Sequence, residues 1–362
     1  MMLLPVLGAA LVLLQSGISH KPSGGLQTVF GNSFTMGVAL APFHLRNEAE
    51  TALVLREFGS ITPENAMKMG PIHPEENRYN WKDADLLADF ARSNKLKMRG
   101  HALCWHKQAP AWIFVDNKGK EVSKEVLLQR LKDHIFAVAG RYKDIVYAWD
   151  VVNEAVSDTP GEWLRPSPWL RICGESYIEM AFRWAHEADP NAQLFYNDYN
   201  ETDPVKREKI LRLISSLKGK GVPVHGIGLQ GHWAMDEPRK GQLDSTLRDF
   251  AATGLRLQIT ELDISVYPKE HEARAWKASD ADTAYTAEKQ ARQTAQYQQC
   301  FALFRKYDPA LDAITFWNLS DRYSWLDNFP VRGRKDYPLL FNAALQPKPA
   351  YEAVVEDYRQ NR

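Results

Sequence analysis

Cysteine is scarce, with only Cys104, Cys173 and Cys300 among 362 residues. An odd count without a C-x-x-C pair excludes a dense disulfide framework and a thiolate zinc site, and it leaves at least one thiol unpaired. A Cys173–Cys300 bridge is open to an exported protein, but three small buried apolar side chains are the simpler account. Net charge is also missing, because 45 Lys plus Arg face 45 Asp plus Glu. No overall field therefore steers the chain toward nucleic acid or an anionic membrane, and a neutral partner is expected. Long apolar runs are absent except at residues 2–14, M-L-L-P-V-L-G-A-A-L-V-L-L. At about 13 residues this run is too short for a helix across a bilayer core of roughly 30 Å. It reads as the core of a signal peptide over 1–19, with small residues at Gly17 and Ser19 and a polar stretch at 18–25. The n-region has no Lys or Arg, and a buried N-terminal helix is the competing reading. The expectation is export to the periplasm or outside the cell, with no membrane association once the signal is removed. No Cys follows the run, so no lipid attachment is expected.

Apolar residues at 44% and charged residues at 25% are ordinary for a globular chain and leave material for a large core. Eleven Trp and fourteen Tyr are many for this length, and such rings serve both cores and surfaces that stack on sugar faces. At about 150 residues per domain the length suggests two domains, although α/β barrels reach this size as one. The pattern favours one. Strand-like runs at 34–40, 58–62, 96–103, 145–152, 193–197, 225–230, 256–262 and 312–317 alternate with helical periods at 81–93, 123–140, 175–188, 204–218, 240–253, 284–306 and 350–358. Asp83 and Asp85 suit a helix first turn, and Ser123 suits an N-cap. Eight β/α alternations without a linker predict an α/β fold, a (β/α)8 TIM barrel, as a single catalytic domain over 26–362. The rival doubly wound sheet needs a Gly-rich phosphate loop after its first strand, and Gly37-Val38-Ala39-Leu40 has no G-x-G-x-x-G.

In such a barrel, chemistry sits where strands end in polar residues. The second run leads into Glu64, Asn65 and Lys68. The third leads into His101, Trp105, His106 and Gln108, the fourth into Asn153 and Glu154, and the fifth into Asn197, Asp198 and Tyr199. The sixth leads into Gln230, His232 and Trp233, the seventh into Glu261 and Asp263, and the eighth into Trp317, Asn318 and Trp325. Any one of these is more often a cap or a loop residue, but seven strands ending alike are harder to dismiss. Glu154 and Glu261 form a carboxylate pair on separated strands, the arrangement glycoside cleavage uses. A gap of roughly 5–5.5 Å serves retention and roughly 6.5–9.5 Å serves inversion. His101, His106, His225 and His232 lack any metal-ligand spacing on one element, so no metal and no cofactor is expected. No G-x-S-x-G elbow and no phosphate cradle occurs.

T-P-E-N-A-M-K at 62–68, R-G-H-A-L-C-W-H at 99–106, W-D-V-V-N-E at 149–154, L-Q-G-H-W at 229–233, I-T-E-L-D at 259–263, T-F-W-N-L-S-D at 315–321 and Q-P-K-P-A-Y at 346–351 occur in this order. Over residues 28–358 the chain resembles glycoside hydrolase family ten, the endo-1,4-beta-xylanases. The resemblance implies a retaining hydrolase of internal β-1,4 bonds in xylan and xylo-oligosaccharides. It implies Glu154 as acid/base, Glu261 as nucleophile and Asn153 on the sugar 2-hydroxyl. His232 would hydrogen-bond Glu261 and be backed by Asp263. Glu64, Asn65, Lys68, His101 and Trp105, with Gln108 nearby, would grip the non-reducing side. Tyr199 and Gln230 would line the centre, and Trp317 and Trp325 a platform and wall. Cys104 stands where the family more often has an aliphatic residue and reads as core filling. The charged stretch 264–290, with Lys269, Glu270, Glu272 and Arg274, reads either as a solvated loop or as a shaper of the leaving-group side. A monomer is expected. The alternatives are a retaining β-1,4-glucanase or mixed activity, and a non-catalytic polysaccharide-binding barrel. The last would keep the tryptophans and lose a carboxylate.

Overall fold

The β-branched and aromatic runs form parallel strands of a closed barrel: β1 (Thr35–Leu40), β2 (Ser60–Pro63), β3 (Lys97–Trp105), β4 (Val146–Asn153), β5 (Gln193–Asp198), β6 (Gly226–Leu229), β8 (Arg256–Ser265) and β9 (Leu311–Phe316). A further short strand, β7 (His232–Ala234), continues the course of β6 and pairs with β8. The computed structural model describes residues 24–270, 272–281 and 283–361. The expected signal peptide over 1–19 lies outside them. Each barrel strand pairs in parallel with the next, β6 with β8, and β9 with β1, so the ring has no free edge. The strands are buried almost throughout, as expected when side chains fill one face and helices cover the other.

The eight expected strands are present within a few residues, and so are the seven expected helices, Lys82–Ser93 through Pro349–Gln360. Ser123 caps its helix by accepting from the Val126 N–H at 3.4 Å. Two departures have local causes. The run expected at 225–230 ends early because Gly231, at φ 76°, turns the chain and lets it resume as β7. A helix at Glu48–Glu57 has no clean apolar stripe, because Glu50 and Glu57 occupy inward positions beside Leu53 and Val54. Glu57 accepts from the Leu26 N–H and the Tyr351 hydroxyl, each at 2.9 Å, and Glu50 meets Arg322 at 2.9 Å.

On the outer face of the strands, under the helices, Gly100 makes room for Trp149, whose ring occupies the place a Cβ would need. All three cysteines are free and buried, so the possible Cys173–Cys300 bridge is not formed. Cys104 packs in the core, as a small apolar side chain would. Among the described residues no helix is long and apolar enough to cross a membrane.

Candidate active site

Strand register brings the polar strand ends together. Trp105 of β3, Asn153 of β4 and Asn197 of β5 stand in one row, and the next step along β4 delivers Glu154. The Glu154 backbone enters the left-handed region at φ 58°, which costs a non-glycine residue about 1 kcal/mol or more. Its N–H donates to the Asn197 carbonyl at 2.9 Å, which sustains the turn. Strain of this kind is commonly held at functional positions. A cleft of about 370 Å³ opens at this end of the barrel.

Glu261, on β8, is 4% exposed at the floor of the cleft. Its Oε1 accepts from Asn197 Nδ2 at 2.8 Å and its Oε2 lies 3.2 Å from His232 Nε2. The other ring nitrogen, His232 Nδ1, lies 2.9 Å from Asp263 Oδ2, which also accepts from the Trp325 indole at 2.8 Å. Burial alone would push the Glu261 carboxyl up. His101, His232 and Lys68 nearby outweigh it and hold the group down at about 2. Burial alone would push His232 down, but Asp263 and Glu261 raise it to about 9. At neutral pH the imidazolium thus donates to both carboxylates and keeps Glu261 ionised.

Glu154 is surrounded differently. Its Oε1 accepts from Gln230 Nε2 at 2.9 Å and its Oε2 from the Trp105 indole at 2.9 Å, both neutral donors. His106 Nδ1 lies 3.9 Å from Oε2, but burial, with Arg165 and Lys107, pushes that imidazole down to about 3, so it is neutral and makes no ion pair. The two carboxylates are linked through amides: Asn197 Nδ2 lies 2.9 Å from Asn153 Oδ1, and Asn153 reaches Glu154 Oε1 at 3.3 Å.

On the β2 side, Asn65 Nδ2 donates to Glu64 Oε1 at 3.2 Å and Lys68 Nζ to Asn65 Oδ1 at 3.0 Å. Lys68 is buried, and its ammonium faces the rings of Trp105 at 4.9 Å and Trp317 at 5.7 Å. Desolvation lowers its pKa while Glu261 and Glu64 oppose that shift. His101 stands edge-on to Trp317 and holds Asp150 Oδ2 at 2.8 Å; Asp150 in turn is paired with buried Arg99. Tyr199 also lines the cleft, its hydroxyl accepting from Arg165 at 2.8 Å.

Of the residues singled out from sequence, Glu64, Asn65, Lys68, His101, Trp105, Asn153, Glu154, Tyr199, Gln230, His232, Glu261, Trp317 and Trp325 line this one cleft. Asp263 sits behind His232 as expected, with no place in the lining. Gln108 is not brought in: it is exposed, and its carbonyl accepts from the Gly70 N–H at 2.7 Å. Lys107, Asn200 and Phe329 line the cleft without having been chosen, and Lys269 and Glu270, of the charged stretch read either as a solvated loop or as a shaper of the leaving-group side, line it as well. Asn197, noted only as a strand-end residue, joins Glu261 to Asn153. Arg99 and Asp150, a charge pair inside strand runs, were not singled out from sequence; a charge within a buried strand is the signal that could have found them.

The family model described as Glycosyl hydrolase family 10 matches residues 25–357. Endo-1,4-beta-xylanase B of Paenibacillus barcinonensis is 46% identical over 330 residues, covering 91% of this chain and 97% of the relative. A beta-1,4-xylanase of Dictyoglomus thermophilum is 44% identical over 355 residues, covering 98% and 97%. The crystal structure of xylanase XynB from Paenibacillus barcinonensis, complexed with a conduramine derivative, matches with a TM-score of 0.87 at 45% identity, covering 92% of this chain and 99% of that one. A family match across nearly the whole chain, on a barrel with two differently surrounded carboxylates at its strand ends, establishes that this chain belongs to glycosyl hydrolase family 10.

Proposed function

We propose that the chain is an endo-1,4-beta-xylanase that cuts internal β-1,4-xylosidic bonds with retention, by double displacement. The contrast between the two carboxylates carries the reading: cationic partners around Glu261 and neutral donors around Glu154. Glu154 donates a proton to the leaving glycosidic oxygen while Glu261 attacks the anomeric carbon and forms a glycosyl ester. The freed end departs. Glu154, now a carboxylate, takes a proton from water, which attacks the same carbon and releases Glu261.

Asn153 holds the sugar 2-hydroxyl, a contact that strengthens as the ring flattens toward an oxocarbenium ion. His232 and Asp263 keep Glu261 charged and aimed. Glu64, Asn65, Lys68, His101 and Trp105 grip the non-reducing side, and Gln230, Tyr199, Trp317 and Trp325 line the centre and walls. Gln108 contributes through its backbone to the approach of 70 rather than by touching sugar. The 1–19 segment directs export, and the single catalytic domain works as a monomer on xylan and xylo-oligosaccharides. Both carboxylates are present, which speaks against a binding-only barrel. Reducing-sugar release from xylan and from cellulose tests the reading. Release from xylan in large excess is expected; equal release from both would favour a glucanase, and none from either a binding protein.

A further inference from the structure

We infer that Arg334 and Arg274 are positioning residues: with Asp280 they clasp the segment that follows β8 to the segment that follows β9, and so hold the cleft wall on the leaving-group side. The inference rests on the proposed xylanase reading. Arg334 is 5% exposed, and its guanidinium lies over Tyr267 at 4.1 Å. It donates to Glu270 Oε1 at 2.8 Å and to Asp280 Oδ1 at 3.2 Å. Arg274 bridges the same two carboxylates, at 2.7 and 2.8 Å to the Asp280 oxygens and 3.1 Å to Glu270 Oε1. Two cations thus satisfy two anions at a partly buried site. Removing one member strands an uncompensated charge there, unlike the loss of an isolated surface pair.

Two limbs run from the clasp into the site. In the first, Glu270 lines the cleft, and neighbouring Lys269 lines both the cleft and an adjoining cavity of about 430 Å³. Lys269 Nζ donates to the His232 carbonyl. In the second, the Arg274 N–H donates to the Pro330 carbonyl at 3.0 Å. Next to it, Phe329 stacks on Trp325 with centroids 5.3 Å apart, and the Trp325 indole holds Asp263, which holds His232. The limbs thus fix the wall rather than the nucleophile: the first touches His232 only at its backbone carbonyl, and the second meets its ring only through Trp325 and Asp263. The three clasp residues themselves are outside the cleft lining.

The adjoining cavity is lined by residues that follow β4, β5, β6 and β8, among them Asp158, Asn200, Glu237 and Lys269. That is the part of the ring across from β2, which presents Glu64 and Asn65. An endo cut needs sugar on both sides of the scissile bond. With one side at β2, the clasped wall serves the other.

Loosening the wall therefore weakens binding of a polymer more than it slows chemistry on a small substrate. The test compares Arg334→Met, which keeps the stem against Tyr267, and Asp280→Asn with the wild type. Each is assayed on xylan and on an aryl β-xylobioside, whose activated leaving group needs no sugar beyond the cut. The expected result is KM for xylan up about fivefold or more in both variants, with kcat/KM on the aryl substrate within about twofold. Arg334→Lys should recover most of the xylan KM. Unchanged xylan KM in folded variants, or equal losses on both substrates, would overturn the inference. If Arg334→Met does not fold, Asp280→Asn, which keeps both arginines, decides alone. A wild type inactive on xylan fails the functional reading and the clasp with it, whereas an active wild type with indifferent variants fails the clasp alone.

Discussion

At the scale of single residues, role follows from neighbours. Glu261 has an imidazolium at 3.2 Å and a buried ammonium nearby, which hold its carboxyl down at about 2 and keep it ionised at neutral pH. Glu154 accepts from an amide and an indole, both uncharged donors. Truncation of Glu154 therefore removes proton donation but leaves the nucleophile intact. Glu154→Ala is expected to lose about 10²- to 10⁴-fold in kcat on xylan, the usual contribution of general acid–base catalysis. It should retain near-normal glycosylation with an activated aryl xylobioside, seen as a burst of phenol in stopped flow. Added azide should restore turnover as β-xylobiosyl azide. Loss of the burst would reassign the acid. Glu154, Glu261 and most of their companions were legible because polar side chains ended apolar strands. Asn197 was visible in the same way, but its bridging role needs the β4–β5 register. Lys269 and Glu270 read either as a solvated loop or as a shaper of the leaving-group side, a choice that charge pattern alone does not make, and Gln108 looked like a site residue only because it follows Trp105.

Among elements, the barrel strands were legible because strands buried on both faces read as continuous apolar runs. The helix Glu48–Glu57 was obscured by its inward glutamates, and β7 is too short to carry a pattern. Helix Lys124–Tyr142 carries a further polar group inward: His134, fully buried, pairs with His73 at 3.1 Å between their Nδ1 atoms. His73 Nε2 faces the Glu76 carbonyl at 3.0 Å and must donate, so in the neutral ring its Nδ1 accepts from His134 Nδ1–H. His134 Nε2 is then bare, and it has no partner. A second proton on either ring finds no acceptor. Burial accordingly pushes His134 down to about 3 and His73 below its ordinary value. The unfolded chain binds protons below about 6.5 while the folded pair does not. This contribution is whole above that pH and is lost as pH falls toward 3, at up to about 1.4 kcal/mol per pH unit for one such group. Urea melts at pH 7 and pH 4.5 should show His134→Gln, whose amide also donates to His73, losing less stability on acidification than the wild type. Equal losses would mean the pair titrates freely.

For the whole molecule, the closed ring is what turns distant sequence segments into one site. Residues after β2, β3, β4, β5, β6, β8 and β9 all reach a cleft of about 370 Å³. The equal charge count accords with a neutral polymer held by hydroxyl-binding side chains and aromatic faces, while the charge that matters is local and divided. The absence of a phosphate loop and of an interposed linker in the sequence pointed to this single barrel. The loop clasp was not legible, because its members lie 60 residues apart in the chain between Arg274 and Arg334 and meet only when the strands close. The central claim, a covalent intermediate on Glu261 in a retaining xylanase, is tested most directly by trapping. Incubation with an activated 2-deoxy-2-fluoro-xylobioside, followed by peptide mass spectrometry, should place one fluoroxylobiosyl group on Glu261 with loss of activity. A label on Glu154, or complete turnover with no labelled peptide, would contradict it.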